Sequence, residues 1–242
     1  MLGSILKHWR DLRGMSQLDL ALEASVSARH LSFIESGRTR PSAAMVLRLS
    51  EALALPLRER NALLLAAGYA PRFSESDWSS SSLEAVRAAA KLILHNHEPY
   101  PAIVLDSSFN VLEANAAAWS LLGTEATQTA INMVDAVFLP GPIRDSIENW
   151  DEIANYFIHR LRQSVRFRGT NSAVAAKLKQ ALSAPGVKSL IDQPLGTTNT
   201  VLLPVVLQSN GETTRWFTTI TSFGGAMDAL AEEIMIEQFH PA

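Results

Sequence analysis

The 242-residue sequence contains no cysteine. It can therefore build no disulfide framework and offers no thiolate to a metal, which fits a reducing, cytoplasmic setting. It has no run of about 18 apolar residues, so no membrane span is expected. The stretch "MLGSILKHWRDLRG" carries charges every few residues and has no apolar secretory core. Also missing are the G-x-S-x-G elbow, the phosphate-binding loop and the dinucleotide fingerprint. His95 and His97 stand two apart with no cysteine or paired acidic ligand beside them. Neither an enzyme, a metal site nor a cofactor is expected.

What is present describes a folded chain. Hydrophobic residues make up 47% and charged residues 19%, the balance of a globular protein. The net charge of −3 conceals an asymmetry: residues 1–72 hold ten Lys/Arg against six Asp/Glu, the remainder eleven against eighteen. A basic front on an acidic chain points to a polyanion as partner of the front part.

The first seventy residues carry dense helical signals. Leu2, Ile5, Leu6 and Trp9 form one stripe, and Ser16, Ser27 and Ser42 stand where N-caps are needed. Leu18, Ala21 and Leu22 are expected to face inward from the second helix, and Gly68 to end the fifth. The predicted front is an all-α five-helix domain over residues 1–70. "APRFSESDWSSSSLEA" marks a linker, placed at 71–82, before a second domain over 83–242.

That second domain mixes periods. "PAIVLDSSFNVLEANAAAWSLLG" gives two apolar runs around a turn and then a short helix. Residues 131–192 are largely helical. "TNTVLLPVVLQSNGETTRWFTTITSF" gives two strands joined at Asn210-Gly211, with Pro204 suited to an edge strand. "AMDALAEEIMIEQF" reads as a closing helix. Strands at both ends with helices between them predict an α+β domain, an antiparallel sheet covered by helices.

Residues 16–37 form the most specific pattern: a capped helix, a short turn at Ser25-Val26 and a second capped helix. "MSQLDLALEASVSARHLSFIESGRTRPS" resembles the helix-turn-helix of the phage-repressor and XRE family of bacterial regulators. The resemblance implies a pairing of Arg10 with Glu35. It also places Ser25 where the family usually has glycine. By position, Ser27, Ala28 and Arg29 open the helix that enters the major groove of double-stranded DNA. Arg29 is placed to pair with guanine; Ala28 and Phe33 offer apolar surface to a thymine methyl. Ser16, Gln17, Arg38 and Arg40 are expected at phosphates, with His30 and Ser32 flanking the reading face. Phe33 stands opposite the apolar stripe of Leu31 and Ile34; packing on the second domain or a partner chain is its other reading.

"AIVLDSSFNVLEANAAAWSLLG" resembles the start of PAS domains, with Asn115 capping a helix that ends at Leu122-Gly123. Together with "LPLRERNALLLAAGYAP", "EPYPAIVLD" and "ENWDEIANYFIHRLR", it makes the chain similar to the MmyB-like transcription regulators. That resemblance implies a PAS-like C-terminal domain binding a small apolar ligand such as a fatty acid. Members often run on past a hydrophobic-Pro-Ala-Asp segment, whereas this sequence ends at "FHPA", so a short or truncated tail is expected.

A sheet covered by helices leaves a cavity where its inner positions are apolar but do not fill the volume. Trp119, Phe138, Trp150, Phe157, Leu161, Leu203, Val205 and Phe217 are the candidates to line it, ordinary core being the alternative for each. Arg144, Arg162 and Arg166 are the candidate cations for an acidic head group. The expected protein is a ligand-sensing regulator that binds operator half-sites as a homodimer. The alternative is a DNA-binding regulator whose second domain serves only dimerisation or protein interaction.

Overall fold

A computed structural model describes residues 2–123, 131–170, 172–190, 202–209 and 211–242. The chain divides into two compact units. The first comprises Met1–Ser76, Val165–Thr170 and Gly225–Glu232; the second comprises Asp77–Ser164, Asn171–Gly224 and Glu233–Ala242. Composition placed a contiguous division at residues 71–82; the first unit also includes two later segments, 165–170 and 225–232.

The first unit opens with α1 (Leu2–Leu12), α2 (Gln17–Glu23), α3 (Ala28–Glu35), α4 (Ala43–Ala52) and α5 (Leu57–Ala66). Ser16, Ser27 and Ser42 cap α2, α3 and α4, each hydroxyl accepting a backbone N–H three residues on. At α2 the Asp19 carboxylate accepts the Ser16 N–H in return, a reciprocal box. Leu6, Trp9, Leu20, Leu31, Ile34, Leu49 and Leu63 build the core. Leu18 and Leu22 do not join it: they are 59% and 69% exposed. At 100° per residue the inward arc of α2 runs through Leu20, Ala21 and Ala24, leaving those two leucines on the far side. Ser25 adopts φ +53°, the left-handed turn usually given to glycine, at a cost of about 1–2 kcal/mol.

The second unit contains α6 (Glu84–Asn96), β1 (Ala102–Leu105), β2 (Val111–Ala114), α7 (Ala116–Leu121), α8 (Met133–Phe138) and α9 (Pro142–Ser146). Then follow α10 (Trp150–Arg168, its last four residues in the first unit), α11 (Ala173–Leu182), β3 (Val205–Ser209), β4 (Glu212–Ser222), α12 (Ala229–Glu233, in the first unit but for Glu233) and β5 (Met235–Pro241). The five strands among the described residues form one antiparallel sheet in the order β2-β1-β5-β4-β3. Pro204 immediately precedes β3, an edge strand, where a missing N–H breaks no ladder. Asn210 lies outside the described residues; Gly211 takes φ +83° at the start of β4.

The closing helix predicted from "AMDALAEEIMIEQF" is confined to α12. Residues 235–241 instead form β5, the central strand, laddered to β1 on one side and β4 on the other. The apolar spacing of this short segment fits both periods. Backbone pairing on both edges, which no local pattern reports, decides for the strand.

Asn115 caps α7 and ties four segments together. Its Oδ1 accepts the N–H groups of Ala118 and Ala102, and its Nδ2 donates to the carbonyls of Tyr100 and Leu94. No described helix is long and apolar enough to cross a membrane.

Candidate functional site

In the helix-turn-helix, α3 is held from behind by a buried ion pair. Arg10 Nε lies 2.8 Å from Glu35 Oε1 and Nη2 lies 3.2 Å from Oε2, while Nη1 donates to the Met15 carbonyl. The hydrogen bond to Glu35 raises the Arg10 pKa. At the same junction a Cβ on Gly3 would overlap the Glu35 carbonyl, so only glycine lets α1 approach α3 this closely. Nothing in the local pattern flags Gly3.

The exposed side of α3 presents Ser27 and Arg29, with Ala28, His30, Ser32 and Phe33 partly exposed. The Arg29 guanidinium lies over the Phe33 ring at 5.4 Å from its centroid, and that of Arg38 at 5.8 Å. The Phe33 carbonyl also accepts the N–H groups of Arg38 and Thr39, at 2.8 and 3.2 Å. One residue thus pins the start of the basic loop and provides the surface on which two arginines rest.

Two of the residues expected at phosphates make contacts within the fold. Gln17 Nε2 donates to Glu35 Oε2 at 2.7 Å, so its side chain completes the Arg10–Glu35 brace. Arg40 donates to the carbonyls of Ala67 and Gly68 and stacks on Tyr69, capping the end of α5. Ser16 is engaged in its capping box; both loop arginines are exposed, and Arg40 is the one that donates to backbone carbonyls.

The second unit contains a cavity of about 300 Å³. Ile103, Val205, Leu207, Thr218, Glu237 and Phe239 contribute from the sheet. Ala118, Leu121, Leu122, Met133, Val137, Ile143, Ser146, Ile147, Ile153, Tyr156 and Phe157 contribute from α7–α10 and their ends. Pro101, Leu202, Leu203 and Phe217 complete the wall. Its volume is at the lower end of small-molecule sites, and its lining is mostly aliphatic and aromatic.

Of the residues proposed from the sequence, Phe157, Leu203, Val205 and Phe217 reach this wall. Phe217 does so with its ring stacked on His240 at 5.0 Å. Phe138 and Leu161 are fully buried in packed core. Trp150 donates to the Val137 carbonyl and packs on Phe138. Trp119 is half-buried beside the cavity residue Ala118 but is not part of the wall. Arg144 lies flat on Trp150 at 4.2 Å and donates to the Pro185 carbonyl. Arg162 and Arg166 are exposed on α10. None of these three arginines lines the cavity. The sequence shows that these side chains are large and apolar, or cationic; which of them face the cavity depends on helix rotations set by packing.

His97 uses both ring nitrogens within the fold, Nε2 with the Phe239 carbonyl at 2.7 Å and Nδ1 with the Gln238 amide at 3.3 Å. A donor Nε2–H and an acceptor Nδ1 match both partners.

Residues 86–242 match the MmyB-like transcription regulator ligand binding domain family. Residues 6–60 match the helix-turn-helix family. Comparison with curated proteins finds no match.

Proposed function

Because the chain belongs to the MmyB-like transcription regulators, we propose that it binds operator DNA as a homodimer through α3 and that a small apolar ligand in the cavity changes this binding. The helix-turn-helix and the ligand-binding domain together make it a ligand-responsive transcription regulator. The observation carrying the sensing part is the cavity of about 300 Å³ with its largely apolar wall. A second domain that served only dimerisation would be expected to close such a space, because packing to crystal-like density is what stabilises a core.

In this reading Arg29 and the opening residues of α3 meet base edges, and Arg38 meets the backbone. Half-sites are spaced about 34–36 Å apart, one helical turn. The ligand acts only through a difference in affinity for the two states of the dimer. Its effect is therefore reciprocal: operator DNA changes ligand affinity by the same factor.

The test begins with native mass spectrometry of gently purified protein to find the ligand. Operator affinity is then measured with and without it. A change of about fivefold or more, matched by an equal change in ligand affinity on adding operator, is expected. Equal operator affinity at saturating ligand sinks the sensing reading.

A further inference from the structure

Among the described residues, the cavity wall carries one charged side chain, Glu237 of β5. It stands opposite Ile103 of β1, and two residues before Phe239, so all three share one face of the sheet. Arg160 of α10 holds its carboxylate, with Nη1 at 3.2 and 3.4 Å from the two oxygens. The pair is buried, its side chains 11% and 8% exposed. Arg160 itself lies over the rings of Phe109, Tyr156 and Phe157 and is not part of the wall.

Among the described residues, the wall therefore offers a ligand no cation. Arg144 rests on Trp150 and is not part of the wall. Residues 124–130 and 191–201 contain no lysine, arginine or histidine in their sequence. A carboxylic acid entering as its anion would give up water for an apolar space whose one charged group has the same sign. A neutral O–H or N–H meets the opposite situation. An ionised carboxylate only accepts hydrogen bonds, and its two oxygens have lone pairs beyond those Arg160 uses. Bonds to such an acceptor are shorter and stronger than neutral ones.

We propose that the ligand is an apolar molecule whose polar end is a neutral hydrogen-bond donor, a hydroxyl or primary amide, received by Glu237; Arg160 is the positioning residue that fixes this acceptor. The inference rests on the ligand-responsive reading and departs from the fatty acid suggested by family resemblance.

The test is calorimetric titration of the full chain at neutral pH with three probes of one chain length: 1-decanol, its methyl ether and decanoate. Decanol is expected to bind about tenfold or more tighter than the ether, which lacks the donor, and than decanoate. Glu237→Gln keeps the shape, removes the negative charge and frees Arg160, so decanoate should then bind more tightly than decanol. A second variant, Arg160→Met with Glu237→Met, removes both charges at similar volume and should bind decanol and the ether equally. Decanoate or the ether matching decanol on the native protein overturns the head-group inference and leaves ligand sensing standing. If none of the three binds, the apolar-ligand reading falls with it. An unchanged order of affinities in either folded variant removes Glu237 from the role.

Discussion

Phe33 is a large apolar residue on the exposed side of a short helix, and its ring lies beneath two guanidinium groups. The negative ring face offsets the repulsion that Arg29 and Arg38 would feel on approaching each other. Its effect on DNA binding thus runs through the placement of both arginines. Phe33→Ala should weaken operator binding by about 1–2 kcal/mol, the sum of two exposed cation–π contacts, seen as a loss of about 5–30-fold in fluorescence anisotropy titrations. Phe33→Tyr, which keeps the ring face, should stay close to the native value. If Phe33→Leu restores binding instead, and only at sites with one particular thymine, then contact with a methyl group is the role. The sequence located Phe33 on the outward face, because helical period is local information. It could not show the stacking, since Arg38 reaches the ring only after the chain turns back at Ser36-Gly37.

At the scale of elements, α1 and α3 are joined by the Arg10–Glu35 pair, with side chains 9% and 4% exposed. Breaking one side of a buried pair leaves an uncompensated charge. Arg10→Met should therefore lower stability by about 3–5 kcal/mol, measured by denaturant unfolding, and Arg10→Met with Glu35→Leu should recover much of it. Equal losses in the single and double variants would show that the pair does not act as a unit. Local signals made the helices of this unit legible, since three serine caps fix helix starts within a few residues of chain, while the brace between Arg10 and Glu35, 25 residues apart, was implied only by the family resemblance. The sheet was only partly legible. β1, β2, β3 and β4 announce themselves by apolar runs around turns, whereas β5 is specified by partners more than a hundred residues away in β1. The cavity wall was hidden for the same reason. Phe138 and Trp150 are as apolar as Phe157, and only the packing of α8 against α10 sends them to one another.

At the scale of the whole molecule, the first unit is discontinuous in sequence. Glu232 Oε2 accepts the Leu57 N–H at 2.7 Å, at the start of α5. Asp228 Oδ2 accepts the Ser76 N–H at 3.1 Å, and Arg13 donates to the carbonyls of Arg166 and Phe167. Burial pushes the Asp228 carboxyl up, but hydrogen bonds from Ser76, Ser74 and Ala231 outweigh it and hold the carboxyl below its ordinary value of 3.8. Its contribution to stability is therefore present above that ordinary value and is lost as pH falls through the lowered one. A fragment of residues 1–76 lacks all these partners. It should lose amide-exchange protection at Leu57 and Ser76, and be destabilised by about 2 kcal/mol or more relative to the full chain. Full protection at both amides in the fragment would show that residues 165–170 and 225–232 add nothing.

The same discontinuity has a consequence in time. Small domains at the front of a chain ordinarily fold while the rest is still being made, at about 5–20 residues per second. Here the segment ending at Glu232 belongs to the front unit. The five helices emerge early, but the unit gains its last hydrogen bonds only about 8–30 s after residue 76 is made. A chain cut short by a premature stop before residue 225 carries the DNA-reading helix without the finished unit around it.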